Sequence, residues 1–107
     1  MYHKTEKKAE LLALLKNGYV GAENYITSTA IEKALSINDR IVRNIINRLR
    51  SEGQPIGSNT DGYFYAQNIE EIEQTISNLL GRIKKVITAT DGLVTSQRKF
   101  RITEESK

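Results

Sequence analysis

Residues 27–66, TSTAIEKALSINDRIVRNIINRLRSEGQPIGSNTDGYFYA, decide the fold, because two short amphipathic helices, a tight corner and a glycine-turned hairpin follow one another without a gap. The first of these helices opens at Ser28 or Thr29, where Thr29 and Glu32 have the spacing of a capping box. It is expected to bury Ile31, Ala34 and Leu35 before ending near Ser36. Ser36, Ile37 and Asn38 make the corner, with Ile37 as its apolar plug and Asn38 or Asp39 as the cap of the next helix.

The helix from about Asp39 to Glu52 has two distinct faces. At roughly 100° per residue, Val42, Ile45, Ile46 and Leu49 fall on one side, with Ile41 at the margin. The opposite side is Arg40, Asn44, Asn47 and Ser51, flanked by Arg43 and Arg50 on one edge and Arg48 on the other. A helix that enters the major groove of DNA needs long donors for guanine edges, carboxamides for adenine edges and guanidinium groups for phosphates. Arg40, Arg43, Asn44, Asn47 and Arg48 offer these types together. A solvated face of Arg and Asn is also what an ordinary surface helix shows. What favours DNA is its place on the second helix of a helix-turn-helix.

After Gly53 the punctuation is that of a hairpin: Ile56, Gly57 and Ser58, a polar turn of Asn59, Thr60, Asp61 and Gly62, then Tyr63, Phe64, Tyr65 and Ala66. Gly62 is expected to take the positive φ of the turn. Tyr63 and Tyr65 point to one face of their strand and Phe64 to the other. One set enters the core, and the sequence leaves open which. Aromatics here suit burial better than base stacking, because so small a domain has few other bulky apolar groups.

Working outward, a helix is expected from about Thr5 to Lys16, with Ala9, Leu11, Leu12, Leu14 and Leu15 on its apolar face, stopped by Asn17 and Gly18. Residues 18–26 form a loop whose Tyr19, Val20 and Tyr25 cover the core, and Ile26 and Thr27 can add a short strand. Beyond the hairpin, Asn68 caps a long helix that starts with Glu70, Glu71 and Glu73 and ends with Arg82, Lys84 and Lys85, a charge order that complements the helix dipole. Ile69, Ile72, Ile76, Leu79, Ile83 and Val86 alternate steps of three and four along it, with Leu80 and Ile87 widening the stripe and Gly81 as its weak point. The seam at Ile72, Ile76, Leu79, Ile83 and Val86 is expected to pair two copies into a homodimer. From about Thr90 the periodicity fades, and the tail, with Arg98, Lys99 and Arg101 around Phe100, is expected to be flexible; as a basic segment it can attract phosphate, or have no role. The organisation is thus 1–68 as the folded domain, 69–89 as a dimerisation helix and 90–107 as a polar basic tail.

Composition sets the outer limits. A chain of 107 residues, 38% hydrophobic and with net charge +3, has room for one small core, and its mild charge says less than where the charge is placed. There is no cysteine, and His3 is the one histidine, so thiolate metal sites, nucleophile–base pairs and a metal or other cofactor are not expected. No apolar run approaches the ~20 residues of a membrane span, and the start lacks a signal-peptide core, so the expected location is the cytoplasm.

The quoted run resembles the winged helix-turn-helix at the amino end of biotin-operon repressors. It is also similar to small winged-helix proteins encoded by bacteriophages and mobile elements of Gram-positive bacteria. The likeness covers roughly residues 5 to 68 and rests on the turn before Asp39, on Val42, Ile45 and Leu49 leading to Gly53, and on Gly62 followed by Tyr63. It implies a mainly α fold with a small β-hairpin, α+β in class, plus a long C-terminal helix. DNA-reading positions would fall at Arg40, Arg43, Asn44 and Asn47, and the wing tip at Ser58, Asn59 and Thr60. Arg48, Ser28 and Thr29 complete the expected contact set. The wing departs from the pattern: it offers no Lys or Arg, and Asp61 would repel phosphate.

The expected function is therefore sequence-specific binding of double-stranded DNA by a non-enzymatic phage or mobile-element protein. Such a protein would regulate transcription or assist replication, with no small-molecule ligand. The rival expectation is a winged helix used as a protein-interaction module in a replication or assembly complex, with the apolar seam as its docking surface.

Overall fold

The computed structural model describes residues Lys4–Glu105, with side chains from Glu6; the reading of His3 lies outside the described residues. In order, the elements are α1 (Lys4–Gly18), a single 3-10 turn (Ala22–Asn24), α2 (Ser28–Leu35), α3 (Asp39–Ser51), strands β1 (Ile56–Ser58) and β2 (Tyr63–Tyr65), and α4 (Ile69–Glu105). The fold is mainly helical with one small antiparallel hairpin and a long C-terminal helix.

Local chemistry explains the boundaries of α2 and α3. Thr27, not Ser28 or Thr29, caps α2: its side chain accepts from the Ala30 N–H, which satisfies a donor that the first turn leaves over. The helix closes at Ser36, which holds φ 56° in the left-handed region, with the Ile37 N–H returning to the Glu32 carbonyl. Asn38 caps α3 by accepting from the Ile41 N–H at 2.9 Å. At the far end Gly53 takes φ 90°, its N–H bonds the Arg50 carbonyl, and the Gln54 N–H bonds that of Leu49. This paired closure satisfies carbonyls left over by the last turn of α3 and turns the chain toward β1.

The core lies where α1, α2 and α3 meet the hairpin. Leu11 and Leu15 of α1, Ile31 and Leu35 of α2, Ile37 of the corner, and Val42, Ile45, Ile46 and Leu49 of α3 form one buried cluster with Ile26 and Ile56. Ala9 and Ala34 are exposed, against expectation. The strands pair Ile56 with Tyr65, Gly57 with Phe64 and Ser58 with Tyr63. Beyond the hairpin, Ile26 exchanges two backbone bonds with Tyr63, at 2.8 and 2.9 Å, and Val20 bridges Tyr65. The open question about the strand is answered by this packing. Tyr63 and Tyr65 are half-buried and pack against the buried cluster, while Phe64, on the opposite face of the strand, is buried outside it with its ring over Gly57.

Several expectations need correction. Gly62 is not at positive φ; among the described residues those positions are Gly21, Ser36 and Gly53. The turn instead needs a glycine at 62 for space, because a Cβ there would lie 2.2 Å from the Ile26 carbonyl oxygen. Left-handed backbone after α1 falls at Gly21 and not at Asn17 or Gly18, since α1 stays regular through the Tyr19 N–H bond to Leu15. Val20 and Tyr25 are exposed, and of the three residues expected to cover the core Tyr19 alone packs on the cluster.

The largest departure concerns the tail. Residues 90–105 continue α4 without a break, so the helix expected to end near 89 runs to Glu105. No proline interrupts it, and the hydroxyls of Thr90, Thr95 and Thr103 bond carbonyls four residues back instead of competing for other backbone conformations. By its contacts the chain falls into two units, the first ending at Thr75 and the second beginning at Ile76, both sharing α4.

Candidate nucleic-acid interface

Burial fixes which side of α3 can meet a partner. Val42, Ile45, Ile46 and Leu49 are at most 2% exposed, so the helix cannot rotate without opening the core. Arg40, Arg43, Asn44, Asn47 and Arg48 are all exposed on the opposite face. Among the described residues, the side chains of Arg40, Asn44, Asn47 and Arg48 have no hydrogen-bond or ion-pair partner; the Asn47 carbonyl accepts from the Ser51 hydroxyl. Arg43 is held, its Nε 3.2 Å from an Asp39 carboxylate oxygen one turn earlier.

Asp39 is a contact that sequence reading missed. It also accepts a 2.7 Å hydrogen bond from the Ser28 hydroxyl, so one carboxylate links the start of α2, the start of α3 and Arg43. Ser28 is thereby engaged within the protein, while Thr29 is exposed beside it. A short side chain eleven residues before an acidic one carries no local sign of this pairing; only the helix–corner–helix geometry brings them together.

Arg50 leaves the exposed set. Its Nε donates to the Ile56 carbonyl at 2.8 Å and its Nη2 to the Ser58 hydroxyl at 3.0 Å, so this guanidinium ties α3 to β1. The hairpin tip is likewise built from its own polar groups. The Asn59 carboxamide oxygen accepts from the N–H groups of Asp61 and Gly62 at 2.8 and 2.9 Å, and its Nδ2 reaches the Ala22 carbonyl. Ser58 donates its N–H to Thr75 Oγ1. Of the three expected tip residues, Ser58 and Asn59 are half-buried and committed to internal bonds, and Thr60 is exposed.

Glu71 is a second contact hidden in the sequence. Its carboxylate accepts from the Ala22 N–H at 2.7 Å and from the Gln67 N–H at 2.9 Å, while its own N–H bonds the Asn68 side chain. It fastens the first turn of α4 to the loop after α1. The Asn68 cap with an acidic residue three positions on was the available signal.

The expected seam residues lie on α4 with Ile76, Ile83 and Val86 half-exposed or more, and Ile72 and Leu79 less so. No group of three His, Cys, Asp or Glu side chains is placed to hold a metal ion among the described residues. No helix there is long and apolar enough to cross a membrane. Comparison with family models, with curated proteins and with solved structures returns no match.

Proposed function

We propose that this chain is a winged helix-turn-helix protein that binds double-stranded DNA in a sequence-specific manner, with α3 as its recognition helix, and that it works as a homodimer. The observation that carries the reading is the rigid division of α3: four apolar side chains locked in the core, five Arg and Asn side chains held outward on the other face. Arg40 and Arg43, near the helix start, are suited to guanine edges or the nearest phosphates. Asn44 and Asn47 are suited to adenine edges, and Arg48 to the backbone at the groove rim. Thr29 and Thr60, both exposed, are the remaining hydroxyls of the expected contact set and suit phosphate oxygens.

In this reading the wing is mainly a structural element. Ser58 and Asn59 spend their polar atoms inside the protein, and the tip bears Asp61 in place of a cation. Specificity then rests on α3, and affinity on two copies engaging one site. Regulation of transcription and assistance to replication both fit such a protein, in a phage or mobile element.

Selection of bound sequences from random duplex DNA tests the proposal. The expected result is a two-fold or repeated site with half-sites about one helical turn, roughly 10 base pairs, apart. Recovery of no enriched sequence, together with no binding at low salt, overturns it and leaves protein docking as the use of this fold.

A further inference from the structure

The seam on α4 continues well past Val86. Counting by sevens from Ile72 gives Leu79, Val86, Leu93 and Phe100; counting from Ile69 gives Ile76, Ile83, then Thr90 and Gln97. These are the d and a positions of one heptad frame, on a helix unbroken to Glu105. Leu80, Ile87 and Val94 widen the seam on one flank only, at the e positions, whereas the g positions hold Thr75, Arg82, Ala89 and Ser96. Ile76, Ile83, Val86, Leu93 and Phe100 are all at least half exposed, Leu93 at 71%.

We propose that residues 76–100 of α4 pair with the same segment of a second copy as an antiparallel coiled coil, with the two-fold axis beside residue 88. The inference rests on the homodimer reading above and adds to it the direction, the register and the segment beyond 89. Thr75 is buried and bonded to β1, and Ile76 opens the second unit. The proposed pairing starts at Ile76, the first seam residue after the buried Thr75, and ends at the last apolar d residue, Phe100, so that a symmetric antiparallel pair sets those two opposite one another. Ile69 and Ile72, exposed on the same lines before Thr75, stay outside it.

The flanking residues decide the direction. In a parallel pair the e positions of one helix face the g positions of the other, which would lay Arg82 against Ile87 and leave Glu73 and Arg101 without an opposite charge. In an antiparallel pair e faces e. With Ile76 opposite Phe100 of the second copy, Leu80 meets Val94, Ile87 meets its own counterpart, and Glu73 meets Arg101. Apolar thus faces apolar and charge faces opposite charge along the whole flank. Gly81 and Gly92 fall at f and c positions, away from the seam, where they lower helix stability without opening a gap in it.

The chain has no cysteine, so introduced thiols report the geometry directly. Glu73→Cys and Arg101→Cys, both at exposed positions, are prepared separately, then oxidised mildly alone and mixed; Leu93→Cys alone reports a parallel pair. Sedimentation of the unaltered chain at several concentrations gives its oligomeric state. The expected results are a dimer, and a disulfide-linked product several-fold more abundant in the Glu73→Cys with Arg101→Cys mixture than in either variant alone. A dimer that links through Leu93→Cys alone, or through none of these thiols, overturns the antiparallel register while leaving the homodimer reading in place. A monomer at every concentration overturns both. DNA binding is not part of the readout, so its failure is separately visible.

Discussion

The Ser28 hydroxyl, at the start of α2, donates a 2.7 Å hydrogen bond to the Asp39 carboxylate at the start of α3. The other oxygen of that carboxylate lies 3.2 Å from Arg43 Nε. Asp39 thus suits the positive end of its helix dipole, yet it places a negative charge on the face proposed to meet phosphate and occupies one of the arginines there. Asp39→Asn keeps an acceptor for Ser28 and removes the charge. Tighter DNA binding at low salt is expected, with the slope of log K against log salt steeper by up to about 0.9 as Arg43 gains a phosphate. The pair is exposed, so the change in folding stability should stay under about 1 kcal/mol. Fluorescence anisotropy titrations at several salt concentrations measure the first effect and thermal melts the second.

Arg48 and Arg50 are two residues apart and should behave as opposites. Arg48→Ala should weaken DNA binding with little change in the melting temperature. Arg50→Ala removes the bonds to the Ile56 carbonyl and the Ser58 hydroxyl, so a loss of about 1–3 kcal/mol of stability is expected. Arg50→Lys should not restore it, because an ammonium cannot span both acceptors in the guanidinium's geometry. Chemical denaturation of the three variants separates the roles.

Ser36 holds a left-handed conformation that costs an L-residue roughly 1 kcal/mol and a glycine nothing comparable. Ser36→Gly should therefore raise stability by up to about 1 kcal/mol, less the entropy the glycine adds to the unfolded chain. Ser36→Val should lower it. Both are read from denaturant midpoints at unchanged slope.

At Gly62 the constraint is space. A methyl group there meets the Ile26 carbonyl oxygen at 2.2 Å, and backbone atoms held by two bonds to Tyr63 cannot step aside. Gly62→Ala should cost about 1–3 kcal/mol. Proton exchange at the Tyr63 and Ile26 amides should speed up more than at the amides of α3.

The sequence made the helices and the hairpin legible because each carries local instructions: Asn38 for the start of α3, Gly53 for its end, and the polar turn Asn59–Gly62 between two apolar segments. The exposed face of α3 followed from the same 3.6-residue period. What was not legible depends on residues distant in the chain. The Arg50 bond to Ser58, the Glu71 bond to Ala22 and the Ser28 bond to Asp39 exist because tertiary packing brings their elements together. The persistence of α4 to Glu105 was hidden for another reason. Its seam there includes Thr90 and Gln97, which dilute the apolar stripe without preventing a helix.

The most direct measurement is a titration of the protein, and of an Arg43→Ala, Asn47→Ala double variant, against short duplex DNA at low salt with the fold of each verified by circular dichroism. If α3 reads DNA, the unaltered chain binds and the double variant, equally folded, binds at least tenfold more weakly. Equal binding by both proteins, or no binding by either, contradicts it.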